Sequence, residues 1–136
     1  LIIFLDFDGT VVEHSYPIIG AANPGAIDVI RSLQKEGHEI ILNTLRADLN
    51  DGSLEEAMSY LNSPDLGLEE IIHFESRKRA PQAYPTQLHP SQKEFYIDDT
   101  SSDAPLRPNI TLPMGMMVDW RIVRNDFLRW GLIKSS

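Results

Sequence analysis

The sequence predicts an α/β fold built on a mostly parallel central sheet. Three observations carry this expectation. Leu1 to Leu5 is an unbroken apolar run that ends directly in Asp6 and Asp8. A helical pattern follows and leads into a second apolar run, Ile40-Ile41-Leu42. Two later apolar runs, Ile71-Ile72-His73-Phe74 and Phe95-Tyr96-Ile97, again give way to polar or acidic residues. Strands that are apolar throughout belong to sheets buried on both faces, and parallel sheets are of this kind.

After the first strand, Glu13 to Ala22 reads as a loop carrying His14, Tyr16 and Pro17. Asn23-Pro24 then offers a helix cap followed by proline at the first helical position. Ala26, Ile27, Ile30 and Leu33 give that helix its apolar stripe, and Gly37 supplies a left-handed stop before the second strand. A strand, helix and strand in this order form a unit with parallel strands and a right-handed crossover. Ser53 and Glu56 predict a capping box opening a helix through about Leu61, which Asn62-Ser63-Pro64-Asp65 breaks. Glu75 to Gln92 holds Pro81, Pro85 and Pro90 and reads as a long loop. A proline-rich stretch, Pro105 to Pro113, leads to a fifth short strand at Met116-Met117-Val118. Asp119 caps a closing helix with Ile122, Val123, Phe127 and Trp130 on one side, and Gly131 follows its end.

With 136 residues and no internal repeat or linker, residues 1–136 are expected to form one domain. The net charge of −8 argues against strong nucleic-acid binding and against attraction to anionic membranes, since both depend on lysine and arginine. No apolar run approaches the ~20 residues that span a bilayer. Cysteine is absent, so disulfides and thiolate metal sites are excluded. A cytoplasmic location is the default expectation.

Asp6 and Asp8 are two apart on an extended strand and therefore share a face, where both carboxylates can approach one phosphate or one hard cation. Gly9 lets the chain turn away. The full string Asp6-Phe7-Asp8-Gly9-Thr10-Val11-Val12 resembles the signature of the haloacid dehalogenase-like superfamily, over roughly Leu1 to Ser102. That resemblance implies a three-layer Rossmann-like sandwich and a magnesium-dependent phosphatase. Asp6 would be the nucleophile that forms an aspartyl phosphate, and Asp8 the general acid and base. Thr10 is expected to orient Asp8.

The superfamily's later motifs find counterparts at later strand ends. Thr44 follows the second strand and takes the role of the phosphate-binding hydroxyl, with Arg46 either holding substrate or pairing with Asp48. For the cation that neutralises the phosphate, Lys78 is favoured and Arg79 is next. Lys93 lies five residues before Asp98, ~16 Å away if extended, at the wrong end of its strand. Asp98-Asp99 matches the acidic fourth motif. Asp6, the Asp8 carbonyl and Asp98 are the implied ligands of Mg2+, with Asp99 ligating or orienting; oxygen donors suit that ion.

Neither the Glu13 to Ala22 loop nor Asp48 to Leu68 has room for a sizeable cap domain, so the site is expected to be open. Openness suits an exposed phosphate on a macromolecule, or a small phosphorylated substrate enclosed by a neighbouring subunit of a homo-oligomer. His14, Tyr16 and Arg46 are candidate substrate contacts. Two alternatives stand beside the phosphatase: a phosphoryl-accepting signalling domain, and a magnesium-binding interaction protein on the same fold without turnover.

Overall fold

The computed structural model describes residues 1–73 and 83–134. Four strands, β1 (Ile2–Leu5), β2 (Glu39–Leu42), β3 (Ile72–His73) and β4 (Glu94–Ile97), form a parallel sheet in the order β3-β2-β1-β4. The chain is thus α/β, as its apolar runs predict. From β1 it moves outward through β2 to β3, then returns to the opposite side of β1 as β4. The reversal falls between β1 and β4, and a crevice at the carboxyl ends of such a pair is where open parallel sheets bind ligands.

β1 is central and buried on both faces. Ile3 and Leu5 join the main core with Phe95 and Ile97. On the other face Phe4 stacks on Tyr96, ring centroids 4.8 Å apart. Register pairs Leu5 with Leu42 on one side and with Ile97 on the other, so Asp6, Asn43 and Asp98 emerge at the same level.

Between β1 and β2 lies α1 (Ala26–Lys35), whose Ala26, Val29, Ile30 and Leu33 are buried. It starts later than Asn23-Pro24 predicts, after Gly25 at φ 85°. Asn23 does not cap it: its Oδ1 accepts no helix amide, and its Nδ2 donates to the carbonyls of Thr10 and Val118, each at 2.8 Å, which ties the side chain to two other segments. Gly37, at φ 86°, stops the helix as expected.

A four-residue helical turn, α2 (Arg46–Leu49), follows β2 and precedes α3 (Ser53–Leu61). The expected capping box at Ser53 is replaced. Asp51 Oδ1 accepts from the Ser53 amide at 3.0 Å and from its hydroxyl at 2.5 Å, so the acid two residues earlier satisfies the helix start. A 3-10 turn at Pro64–Leu66 ends the segment. Phe74 and most of the proline-rich stretch before Tyr84 lie outside the described residues.

β5 (Leu106–Pro108) and β6 (Met116–Val118) form a separate antiparallel hairpin. The expected fifth strand is present, but its partner was hidden by Pro105 and Pro108, which an edge strand tolerates and a central one does not. Buried Glu13 holds the hairpin loop. Its Oε1 accepts from the Ile110 and Thr111 amides at 2.6 and 2.9 Å, and these contacts, the Thr111 hydroxyl first, lower its pKa.

α4 (Trp120–Arg129) closes the described chain, capped by Asp119, which accepts from the amides of Arg121 and Ile122 at 3.1 and 3.5 Å. Val123 and Phe127 are buried as predicted, whereas Ile122 is exposed and Trp120 takes the inward place. Among the described residues no helix is long and apolar enough to cross a membrane.

Candidate functional site

The end of β1 sets the site. Phe7 turns inward against Tyr60, edge to face at 5.8 Å, and so directs its neighbours Asp6 and Asp8 the opposite way. A tight turn follows, with the amides of Thr10 and Val11 donating to the Phe7 carbonyl. Three hydrogen bonds from elsewhere in the chain brace this turn, and a fourth links two of the bracing residues. Trp120 Nε1 and Asn23 Nδ2 both donate to the Thr10 carbonyl, Asn23 also reaches the Val118 carbonyl, and the Val118 amide donates to the Gly9 carbonyl at 2.9 Å.

Asp6 is buried and accepts from the Thr10 hydroxyl at 3.2 Å. Thr10 therefore orients Asp6 and not Asp8, correcting the expectation. Across the β1–β4 crevice stand Asp98 and Asp99, and ligand oxygens of Asp6, Asp98 and Asp99 all lie within 4.8 Å of one another. Thr100 fixes Asp98, its amide and hydroxyl donating to Asp98 Oδ1 at 2.9 and 2.7 Å. Asp99 lies against Gly9, whose φ is 77°; a Cβ there would come within 2.6 Å of Asp99 Oδ2.

Burial pushes the Asp99 carboxyl above its ordinary value and the charge of Asp98 adds to this, while a hydrogen bond shared with Asp6 and the nearby His14 act in the other direction. Three crowded carboxylates of this kind fit a hard divalent cation. The donors are all oxygen, and a positive ion would relieve the repulsion that burial intensifies. The Asp8 carboxylate is not a member of this cluster, which leaves only its backbone carbonyl for the ligand role expected of it.

Asp8 is held instead by Arg46, through Nε to Oδ2 and Nη2 to Oδ1, both at 2.7 Å. Every remaining N–H of the guanidinium is also engaged. Nη1 donates to the carbonyls of Ser53 and Pro17 at 3.2 and 3.4 Å, and Nη2 donates to that of Ile18 at 3.1 Å. Phe7 and Tyr16 flank the group, each ring centroid 5.2 Å from Cζ. With five donors all satisfied, Arg46 has none left for a phosphate. Its carboxylate partner is Asp8 rather than the expected Asp48, and it ties Asp8 to the loop at Pro17 and Ile18 and to the start of α3 at Ser53.

Thr44 lies buried beyond β2, where its Oγ1 accepts from the Arg46 amide at 3.2 Å and its own proton remains available to donate. Asp6, Asp8, Thr44 and Asp99 line one cavity of about 400 Å3, together with His14, Tyr16, Leu45, Arg46, Leu49 and Thr100. Asp6, Asp8, Asp99 and Thr44 thus meet at one edge of the sheet as their strand-end positions predict, with the loop residues His14 and Tyr16 beside them. Lys78 and Arg79 lie outside the described residues. Lys93 precedes β4, its carbonyl accepting from the Ile2 amide, at the end of the sheet away from the acids, as the strand-length argument requires. Sequence reasoning missed Asn23, Trp120 and Thr100. Only Thr100 had a local signal, a hydroxyl two residues after an aspartate, which is the spacing of a side-chain-closed turn.

The sequence matches no protein-family model and no curated protein. Its structure is similar to that of a conserved protein from Bacteroides thetaiotaomicron, with a TM-score of 0.55 and 26% identity, over 98% of this chain and 92% of that one. The likeness runs through nearly the whole of both chains, so it includes the C-terminal hairpin and helix that brace the turn.

Proposed function

We propose that the protein is a magnesium-dependent phosphatase of the haloacid dehalogenase-like type, with a three-layer Rossmann-like sandwich and no sizeable cap. One observation carries the reading: Asp6, Asp98 and Asp99 converge at the sheet's switch point, and Asp6 and Asp99 line a cavity that also presents Asp8 and Thr44. Asp6, Asp98 and the Asp8 carbonyl would hold Mg2+, with Asp99 ligating or orienting. When bound, the ion supplies charge neutralisation for the transferring phosphoryl group. Asp6, fixed by Thr10, attacks phosphorus in line and becomes an aspartyl phosphate as the ester phosphorus–oxygen bond breaks and the leaving oxygen takes a proton from Asp8. The Thr44 hydroxyl holds a phosphate oxygen, and Lys78, with Arg79 as runner-up, is proposed as the neutralising cation. Asp8, by then a base, serves the second half of the reaction as well, accepting a proton from the water that cleaves the acyl phosphate.

The grip of Arg46 on Asp8 favours a second reading. The clasp engages both oxygens of Asp8, an arrangement that suits a fixed acceptor and obstructs a carboxyl that must hand a proton to a leaving group. A domain that accepts a phosphoryl group on Asp6 and releases it slowly would fit that geometry. The test is phosphate release from p-nitrophenyl phosphate and from acetyl phosphate with Mg2+ or with chelator. Turnover is expected to need the metal, to vanish in Asp6→Asn, and to fall about 10²–10⁴-fold in Asp8→Asn. Stoichiometric, long-lived phosphorylation of Asp6 without turnover would support the acceptor instead. Metal-independent hydrolysis by Asp6→Asn would overturn both.

A further inference from the structure

We infer that the site takes phosphate monoesters whose leaving group is an apolar or aromatic body rather than a sugar or polyol, an inference that rests on the phosphatase reading. The cavity is divided by chemistry. Its acids and Thr44 lie on strand ends, whereas Leu45, Leu49 and Tyr16 supply apolar surface. Leu45 and Leu49 are four residues apart across α2 and so lie on one face of the turn. They are 54% and 42% exposed, although Arg46 between them is only 1% exposed. The buried arginine anchors the turn that presents both leucines.

Tyr16 is equally fixed. Its hydroxyl donates to Asp51, and Arg46 occupies a place beside its ring. A preformed apolar surface next to reacting polar groups is how small-molecule sites bind the non-reacting part of a ligand. Because the ring and the turn are already ordered, little freedom is lost when a ligand settles on them. The leucine pair belongs to a concave lining shared with the carboxylates, so its expected occupant is a molecule whose phosphate reaches Asp6. A second copy of the chain covering it is the competing occupant.

The test compares 2-phenylethyl phosphate with glycerol 3-phosphate as Mg2+-dependent substrates, and the non-hydrolysable 2-phenylethylphosphonate with methylphosphonate as ligands measured by calorimetry. We expect at least tenfold higher kcat/KM for the phenylethyl ester, expressed mainly in KM, and at least tenfold tighter binding of the phenylethyl phosphonate. Leu45→Ser and Leu49→Ser should each bring these ratios towards one. Equal kcat/KM values, equal phosphonate affinities, or ratios unchanged in both serine variants would overturn the inference, even with hydrolysis intact. So would a dimer in sedimentation that Leu49→Ser dissociates. Selective phosphonate binding without turnover of any ester would overturn the phosphatase reading and support the apolar site.

Discussion

Arg46→Met removes the guanidinium and keeps most of the apolar stem between Phe7 and Tyr16. The side chains of Arg46 and Asp8 are 1% and 12% exposed, so the variant leaves a nearly buried carboxylate without its counter-charge. Breaking a buried ion pair from one side costs about 3–5 kcal/mol. Asp8 borders the cavity and can regain water at one oxygen, which points to the lower end. The carbonyls of Pro17, Ile18 and Ser53 also lose their donors, which adds to the cost. For 136 residues the unfolding entropy is about 0.29 kcal/mol/K, so the melting temperature should fall by roughly 10–17 °C. Circular dichroism melts and urea titrations measure this. Asp8→Leu combined with Arg46→Met should cost less than the sum of the single changes, because no charge is then stranded. Arg46→Lys, with three donors instead of five and no fork, should lie between wild type and Arg46→Met. A loss below about 1 kcal/mol in Arg46→Met, or simple additivity in the double variant, would refute the clasp as a buried, structure-bearing pair.

Gly9→Ala should cost about 1–2 kcal/mol for its left-handed backbone and also displace Asp99, since the new Cβ would come within 2.6 Å of Asp99 Oδ2. The thermal stabilisation produced by millimolar Mg2+ should therefore shrink or vanish in this variant, and an unchanged Mg2+ response would contradict the proposed metal centre. Asp51 is held down to about 2 by the Ser53 hydroxyl, the Tyr16 hydroxyl and the Ser53 amide. A carboxyl lowered by folding adds stability that is complete above its unfolded value near 3.9 and disappears as pH falls towards 2. Melting curves of wild type and Asp51→Asn should differ above pH 4 and converge near pH 2; a constant separation down to pH 2 would show that Asp51 contributes nothing through its charge.

The strands were legible because burial on both faces leaves an unmistakable apolar run, and the register then carries Asp6, Thr44 and Asp98 to one edge without further information. The helix stripes were legible for the same reason, but their starts were not. Asn23 and Ser53 are good capping residues in any local view. Asn23 is diverted by carbonyls at positions 10 and 118, which no local view contains, whereas Ser53 is diverted by Asp51, a competing acid only two residues upstream. Arg46 failed similarly. Sequence spacing offered Asp48, but the folded chain brings Asp8 to the guanidinium from 38 residues away. The part of the site that strand ends deliver could be read, and the part that tertiary hydrogen bonds impose could not.

The bracing of the Thr10 carbonyl by Trp120 has a consequence in time. The ribosome makes Asp6 and Asp8 long before Val118 and Trp120, so the turn that seats them gains this bracing only after those residues have emerged. A nascent or prematurely terminated chain would carry the whole acidic signature and hold it loosely. The closing helix would then fasten a turn laid down 110 residues earlier.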